Sequence, residues 1–455
     1  MNRIVVGSIS IALIAAIASV AEYYAFKSKF VDESAQDLGK LAEVMETVSA
    51  GGGLNSAVGL WAPRPSLALK KGTAKHGIYE FDTDKTKRDS KKYIFEGKTE
   101  FGPIVGMGFG KYNAELKLKQ VKGDDSFNKL IKKTPVVIDL SKSLSDEFKV
   151  SMRPIRLKAD NETPDGEKSA AAVEIGKLEA VFDGQAQNVS FVAVIPKFEI
   201  ATESGGLGAS LVNLEGFKVM SKQTRAKGGV YVGPSSVKLG KFAFANLVGF
   251  SDLKITQSNK PNGEGFDSRL TFNADDMVWL GKEYGSMQGG VDLLGLSPKG
   301  FKSLIGGPGA GGAFPASVLG GLSQSGLASA QSVRLKGWKW QAGMGESTLD
   351  AEAVLSQGGP SPIESAELSL SISPWQMIAT LGDEERAARY LEKIEGMARS
   401  GVLIDEGDGN YSAKFKFGKA VAPNNVGPLT GQRVEINGRQ MVWGQAVWQT
   451  SGLIP

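Results

Sequence analysis

Runs of residues that alternate between apolar and polar recur along most of this chain. So few segments carry helical periodicity that the fold has to be built on sheet. Tyr112, Ala114, Leu116 and Leu118 fall on one side of a strand, with Asn113, Glu115, Lys117 and Lys119 on the other. The pattern returns at Leu270, Phe272 and Ala274, at Ala366, Leu368, Leu370 and Ile372, and at Tyr411, Ala413, Phe415 and Phe417. Gly, Asn, Asp and Pro turns separate the runs. Strands of this kind have one wet face and one dry face. The uninterrupted apolar run Phe191–Ile195 reads instead as a more deeply buried strand.

Helical signals are confined to short candidates around Ser126–Lys132 and Pro298–Ile305 and to one good helix from Asp383 to about Arg399. That last helix opens on Asp383, Glu384 and Glu385, which suit a helix N-terminus, and puts Leu391, Ile394 and Met397 on one side. So few helices cannot cover so many one-sided strands. The dry faces have to meet another sheet, or the sheet has to curl over itself into a trough. The expected fold is mainly β: a long antiparallel sheet, curved or doubled, with a few short helices. Val173-Glu174-Ile175-Gly176-Lys177-Leu178 and Val237-Lys238-Leu239-Gly240-Lys241-Phe242 share a pattern, which fits a sheet extended by similar hairpins.

Ahead of the β body, Ile4 to Ala21 carry no charge, and the run includes Ile14. At about 1.5 Å per residue a helix of this length nearly crosses a ~30 Å hydrocarbon core. Tyr23 and Tyr24 follow where headgroups would lie. The expected reading is an N-terminal signal-anchor helix over residues 1–26, followed by an amphipathic neck over 27–50 that places Leu38, Leu41, Met45 and Val48 on one face. The alternative is a cleaved signal peptide, because Ser19-Val20-Ala21 supplies small residues at the right place. The body divides into a β-rich stretch over 51–305, a Gly-rich and nearly uncharged linker or surface segment over 306–330, and a C-terminal β portion over 331–455 that carries the helix near 383–399.

Composition narrows the chemistry. With no cysteine, disulfides, thiolate metal sites and cysteine nucleophiles are excluded. The net charge of +4 is unevenly placed: residues 85–133 hold 13 Lys or Arg against six Asp or Glu. This basic stretch reads as a solvated hairpin face or as a surface for anionic headgroups, and nothing beside it resembles a nucleic-acid module. The single histidine, His76, leaves one imidazole for acid–base work, and no Gly-x-Ser-x-Gly elbow accompanies it. Gly307-Pro308-Gly309-Ala310-Gly311-Gly312 has dinucleotide-loop spacing without the preceding strand or the later acid. Asp405-Glu406-Gly407-Asp408-Gly409-Asn410 lacks the alternating ligands of a calcium loop and reads as a turn. No catalytic residue, cofactor or metal site is expected.

His76-Gly77-Ile78-Tyr79, together with the segment that ends in Phe101-Gly102-Pro103 and the closing Val434-Glu435-Ile436-Asn437-Gly438-Arg439, resembles the YdgA-like family of bacterial envelope proteins. The chain departs from that pattern between His76 and Gly77, where a residue is missing, and at Phe101, where the family usually has histidine. The resemblance implies an inner-membrane anchor with a periplasmic β-rich body and brings no established activity with it. The functional expectation is a membrane-tethered, non-enzymatic envelope protein that binds or guides a lipid or other hydrophobic molecule, or scaffolds an envelope assembly. The alternative is a protein–protein or self-associating module, secreted or surface-assembled after cleavage near Ala21.

Overall fold

The computed structural model describes residues 66–72, 76–82, 92–101, 104–105, 108–109, 112–123, 125–143, 145–162, 168–183, 187–202, 211–226, 231–245, 247–297, 330–343, 345–355, 363–376, 384–418 and 433–442. The apolar run with Ile4, Ile14, Tyr23 and Tyr24, the neck, the helix expected at 298–305 and the Gly-rich stretch up to residue 329 lie outside them. Among the described residues no helix is long and apolar enough to cross a membrane. The chain forms two compact units that meet in sequence at Ala245 and Asn246. Each is built on long antiparallel strands, and in this the fold is the mainly-β one expected.

The first unit contains β1 (Ser66–Gly72), β2 (His76–Asp82), β3 (Lys92–Phe101), a minimal hairpin of β4 (Ile104–Val105) and β5 (Gly108–Phe109), and β6 (Tyr112–Val121). After helix α1 (Asp125–Lys133) come β7 (Val137–Lys142), β8 (Phe148–Met152), β9 (Ile155–Glu162), β10 (Lys168–Ile175), β11 (Lys177–Phe182), β12 (Asn188–Thr202), β13 (Val212–Arg225), β14 (Tyr231–Val232) and β15 (Pro234–Phe244). The ladder runs β1–β2–β3–β6–β7–β8–β11–β12–β13–β15, with every pair antiparallel. In β6 buried and exposed residues alternate as the sequence predicts. The dry face is continuous across the register: Phe95, Leu116, Leu118, Ile138, Leu140, Val150 and Met152 are at most 3% exposed. Tyr112, Phe148 and Phe182 stack along it, with ring centroids 6.3 and 5.0 Å apart. Helix α1 is held to β6 by Asn128, whose Oδ1 accepts from Val121 N at 2.6 Å and whose Nδ2 donates to Val121 O at 2.8 Å.

The strand at Phe191–Ile195 departs from expectation. Ala193 and Ile195 are buried, but Val192 and Val194 face the wet side half-exposed, so this central strand has one dry face like its neighbours.

A crease crosses five neighbouring strands at one level. β8 gives way to β9 at Arg153-Pro154, and β10 gives way to β11 at Gly176. Pro196 interrupts β12, Gly216 interrupts β13, and Gly240 lies opposite Gly216 in β15. At each break the apolar spacing slips from two residues to three: Met152 to Ile155, Ile175 to Leu178, Ile195 to Phe198, Leu214 to Phe217, Leu239 to Phe242. The pairing register does not shift across this level, so no strand bulges against its neighbour; each turns its side chains over by one residue in step with the next. Because the slip is repeated in every strand of the row, the dry face stays on one side across it. The two sequence segments that echo each other, around Gly176 and Gly240, are therefore two crossings of one crease. Gly216 has φ +66°, and a β-carbon there would lie 3.4 Å from the backbone of Gly240. Gly216→Val is expected to cost about 1–3 kcal/mol, read as a lower urea midpoint. A variant as stable as wild type would refute the crease as a glycine-dependent feature.

The second unit is a meander of β16 (Val248–Asn262), β17 (Gly265–Trp279), β18 (Lys282–Leu296), β19 (Ser332–Ala342), β20 (Gly345–Leu355) and β21 (Ile363–Ile372), each paired to the next. Helix α2 (Glu384–Ser400) follows. β22 (Ile404–Asp405) and β24 (Arg433–Ile436) share one edge of β23 (Tyr411–Gly418), which pairs through its other edge with β21, and β25 (Arg439–Val442) closes the chain of pairs. α2 forms within a residue of its expected bounds. Its Tyr390, Ile394 and Met397 pack with Val402, Leu403, Ala413, Phe415, Val434 and Ile436, while Leu368, Leu370 and Ile372 border the cluster.

Candidate functional site: a half-covered apolar sheet face

The register of the second unit puts Ile255, Leu270, Phe272, Val291, Leu293, Leu335, Leu349, Ala351 and Leu368 on one face. α2 covers the β21–β23–β24 end of that face. Over β17–β20 the same face is only half-buried at Leu270, Phe272, Met287, Leu335, Trp338 and Leu349, in contrast to the β3–β8 part of the first unit's dry face, where the apolar residues are buried. Among the described residues α2 is the only helix of this unit longer than a single turn.

Two tryptophans organise this surface. β19 bulges between Leu335 and Trp338, which returns the indole to the dry side, and Gly337 N donates to Asp350 Oδ1 at 2.7 Å to hold the bulge. Trp338 Nε1 donates to Gly290 O at 2.8 Å, and its ring meets Phe272 edge-on at 4.9 Å. Trp340 Nε1 donates to Tyr284 O at 2.6 Å. Gly289 leaves the space that the Trp338 ring fills: a β-carbon there would stand 2.8 Å from the indole. With their N–H groups tied to backbone, the rings form a fixed apolar platform whose polar atoms are already satisfied. At the β16 edge of the same face, Gln257 and Asn259 are buried, adding amide groups beside the apolar area.

The opposite face is ionic. Asp292, with its side chain only 5% exposed, accepts from Arg269 Nε at 2.8 Å and Nη2 at 3.0 Å, and Lys336 Nζ stands 3.9 Å away. Hydrogen bonding to Asp292, more than its charge, raises the Arg269 pKa above the ordinary arginine value. These groups border a shallow depression of about 440 Å³ over Gly289 and Gly290, and they neutralise one another more than they await a ligand. In the basic stretch of the first unit Lys119 pairs with Glu96 and Lys98 with Glu100, and Arg153 from outside the stretch bridges Glu115 and Asp139.

Residues 102–306 match the model of a family described as a bacterial protein of unknown function, DUF945. The match takes in the first unit from β4 onward and β16–β18, so three strands of the half-covered face lie within it and β19–β25 lie beyond. No curated protein and no solved structure is measurably similar to the chain.

The motif positions noted in the sequence are not brought together. His76 begins β2, exposed and opposite Lys98, while Phe101 ends β3 opposite Tyr112. Gly102 and Pro103 lie outside the described residues. Asn437-Gly438 makes the turn between β24 and β25, with φ of +50° and +81°. The Asn437 amide is a clasp. Its Oδ1 accepts from Lys414 N at 2.8 Å, and its Nδ2 donates to Val402 O at 3.0 Å and Gly401 O at 3.3 Å. Asp405 and Asp408 accept from Gly407 N and Asn410 N, each at 2.9 Å, which makes that segment a pair of turns. Sequence reading missed the Trp338–Trp340 platform. Its signal was the glycine pair Gly289-Gly290 and the single Gly337 next to Trp338, which mean nothing until the register is known.

Asn437→Ala removes the amide from three backbone partners and is expected to cost about 1–3 kcal/mol, with amide exchange quickening first in α2 and β24. Uniform exchange would show that the clasp does not hold the helix. Gly289→Val is expected to expel the indole, seen as a red shift of tryptophan emission that Trp338→Phe abolishes.

Proposed function

We propose that the protein is a membrane-tethered, non-enzymatic component of the bacterial cell envelope that holds a hydrophobic molecule of the acyl-lipid class on the β17–β20 face of its second unit. The supporting observation is the contrast between the β3–β8 part of the first unit's dry face, buried under its own side chains, and a second-unit face left half-open over a pinned aromatic platform. Exposed contiguous apolar surface is costly in water and marks a binding surface when it persists. The tether is the apolar run from Ile4 to Ala21, and the YdgA-like resemblance supplies the periplasmic side. Phe272, Leu335, Trp338 and Leu349 would contact the chains, and Gln257 and Asn259 would meet a polar end.

The test is to purify the full-length chain in a mild detergent and extract it for lipid mass spectrometry. An acyl lipid is expected at near-stoichiometric amount, and Leu349→Gln, with unchanged circular dichroism, is expected to lose most of it. Wild-type protein free of any apolar molecule would overturn the reading.

A further inference from the structure

The described residues at the two ends of the second-unit sheet differ in polarity. Among the described residues of this unit six large apolar side chains are exposed, and five of them gather at one end: Leu247, Trp279, Leu280, Trp375 and Ile404, with Val354 at the other. The register fixes this grouping, because Val248 pairs with Trp279, Trp279 with Lys282, Thr348 with Ser371 and Ile404 with Ser412. Among the described residues the far end carries the β16–β17 turn Asn262-Gly263-Glu264, exposed throughout and with two polar side chains.

At the apolar end the β17–β18 turn is Leu280-Gly281, with φ of +51° and +75°. Asn437-Gly438 adopts the same backbone elsewhere in this unit, with the residues that such a turn prefers. Leucine with positive φ is strained, and Leu280 is 69% exposed, so it recovers little packing in return. Trp279 beside it is 55% exposed. A strained, solvated leucine next to a solvated tryptophan serves something outside the chain.

We propose that this end of the sheet is a membrane-docking edge that inserts Trp279 and Leu280 into the interfacial layer of a lipid bilayer. A bilayer fits better than a protein. Leu247, Trp279 and Leu280 form a convex tip whose burial reaches on the order of 500 Å², short of the ~800 Å² per partner in a stable complex. A fluid bilayer accepts convex, isolated side chains, and tryptophan favours its interface. The surrounding charges, Lys282 against Asp276, Glu283, Asp405 and Asp408, are net acidic, so docking rests on apolar burial and not on anionic headgroups. It does not depend on the β17–β20 face holding a ligand.

The chain has no cysteine, so one introduced cysteine reports a single place. The full-length protein carrying an environment-sensitive dye at Leu280→Cys or Glu264→Cys is reconstituted in phosphatidylcholine vesicles containing nitroxide-labelled acyl chains. The dye at 280 is expected to shift to the blue and be quenched, equally at low and high salt, while the dye at 264 stays unquenched. With the dye at Trp375→Cys, Leu280→Asn is expected to lower the inserted-to-free ratio about tenfold, the loss of one buried leucine, with an equal or higher melting midpoint. Equal signals at 280 and 264, or a blue shift without nitroxide quenching, would overturn the proposal, the latter pointing to a protein contact. So would a lower midpoint with unchanged quenching, which would assign Leu280 to the fold.

Discussion

Among the described residues the long strands each have one drier face, and the architecture depends on keeping those faces on the same side. Period-two geometry makes this unforgiving, since a slip of one residue turns a whole strand over. The crease through Pro154, Gly176, Pro196, Gly216 and Gly240 shows how a slip is reconciled with that rule. All five strands slip together, so neighbours remain in register and no apolar row is turned to water. A single strand slipping alone would have broken the alignment of its neighbours.

This also explains what was legible in the sequence. Alternation at Tyr112–Leu118 and the acidic start of α2 are local signals, and both elements form as the residues imply. The run Phe191–Ile195 reads as buried on both sides because its wet face happens to be valine, and only its place in the ladder shows which side is dry. The echo between the segments at Gly176 and Gly240 was visible, but its meaning was not. It marks a shared level in space that emerges only once β10, β12, β13 and β15 are aligned. The platform was hidden for the same reason, since Gly289 and Trp338 are 49 positions apart and meet through pairing alone.

The two units apply the same construction to different ends. In the first, large side chains such as Phe95, Tyr112 and Leu118 fill the dry side. In the second, glycines at 289, 290 and 337 thin the sheet beneath two tryptophans whose N–H groups already have backbone partners. A surface of this sort stays flat and apolar without collapsing, because its heavy atoms are held by hydrogen bonds below it and not by packing above.

The Asn437 clasp has a consequence for the order of assembly. Most strand pairs join neighbours in sequence, and those that do not, such as β8–β11 and β21–β23, skip only a few elements. Helix α2 waits for a later partner. The carbonyls of Gly401 and Val402, just beyond its C-terminus, wait for an amide some 35 residues later, and its apolar side waits for Val434 and Ile436. The hairpin of β24 and β25 therefore acts as a latch that closes only after those strands have been made, and a protein truncated before it would carry a formed sheet with an undocked helix.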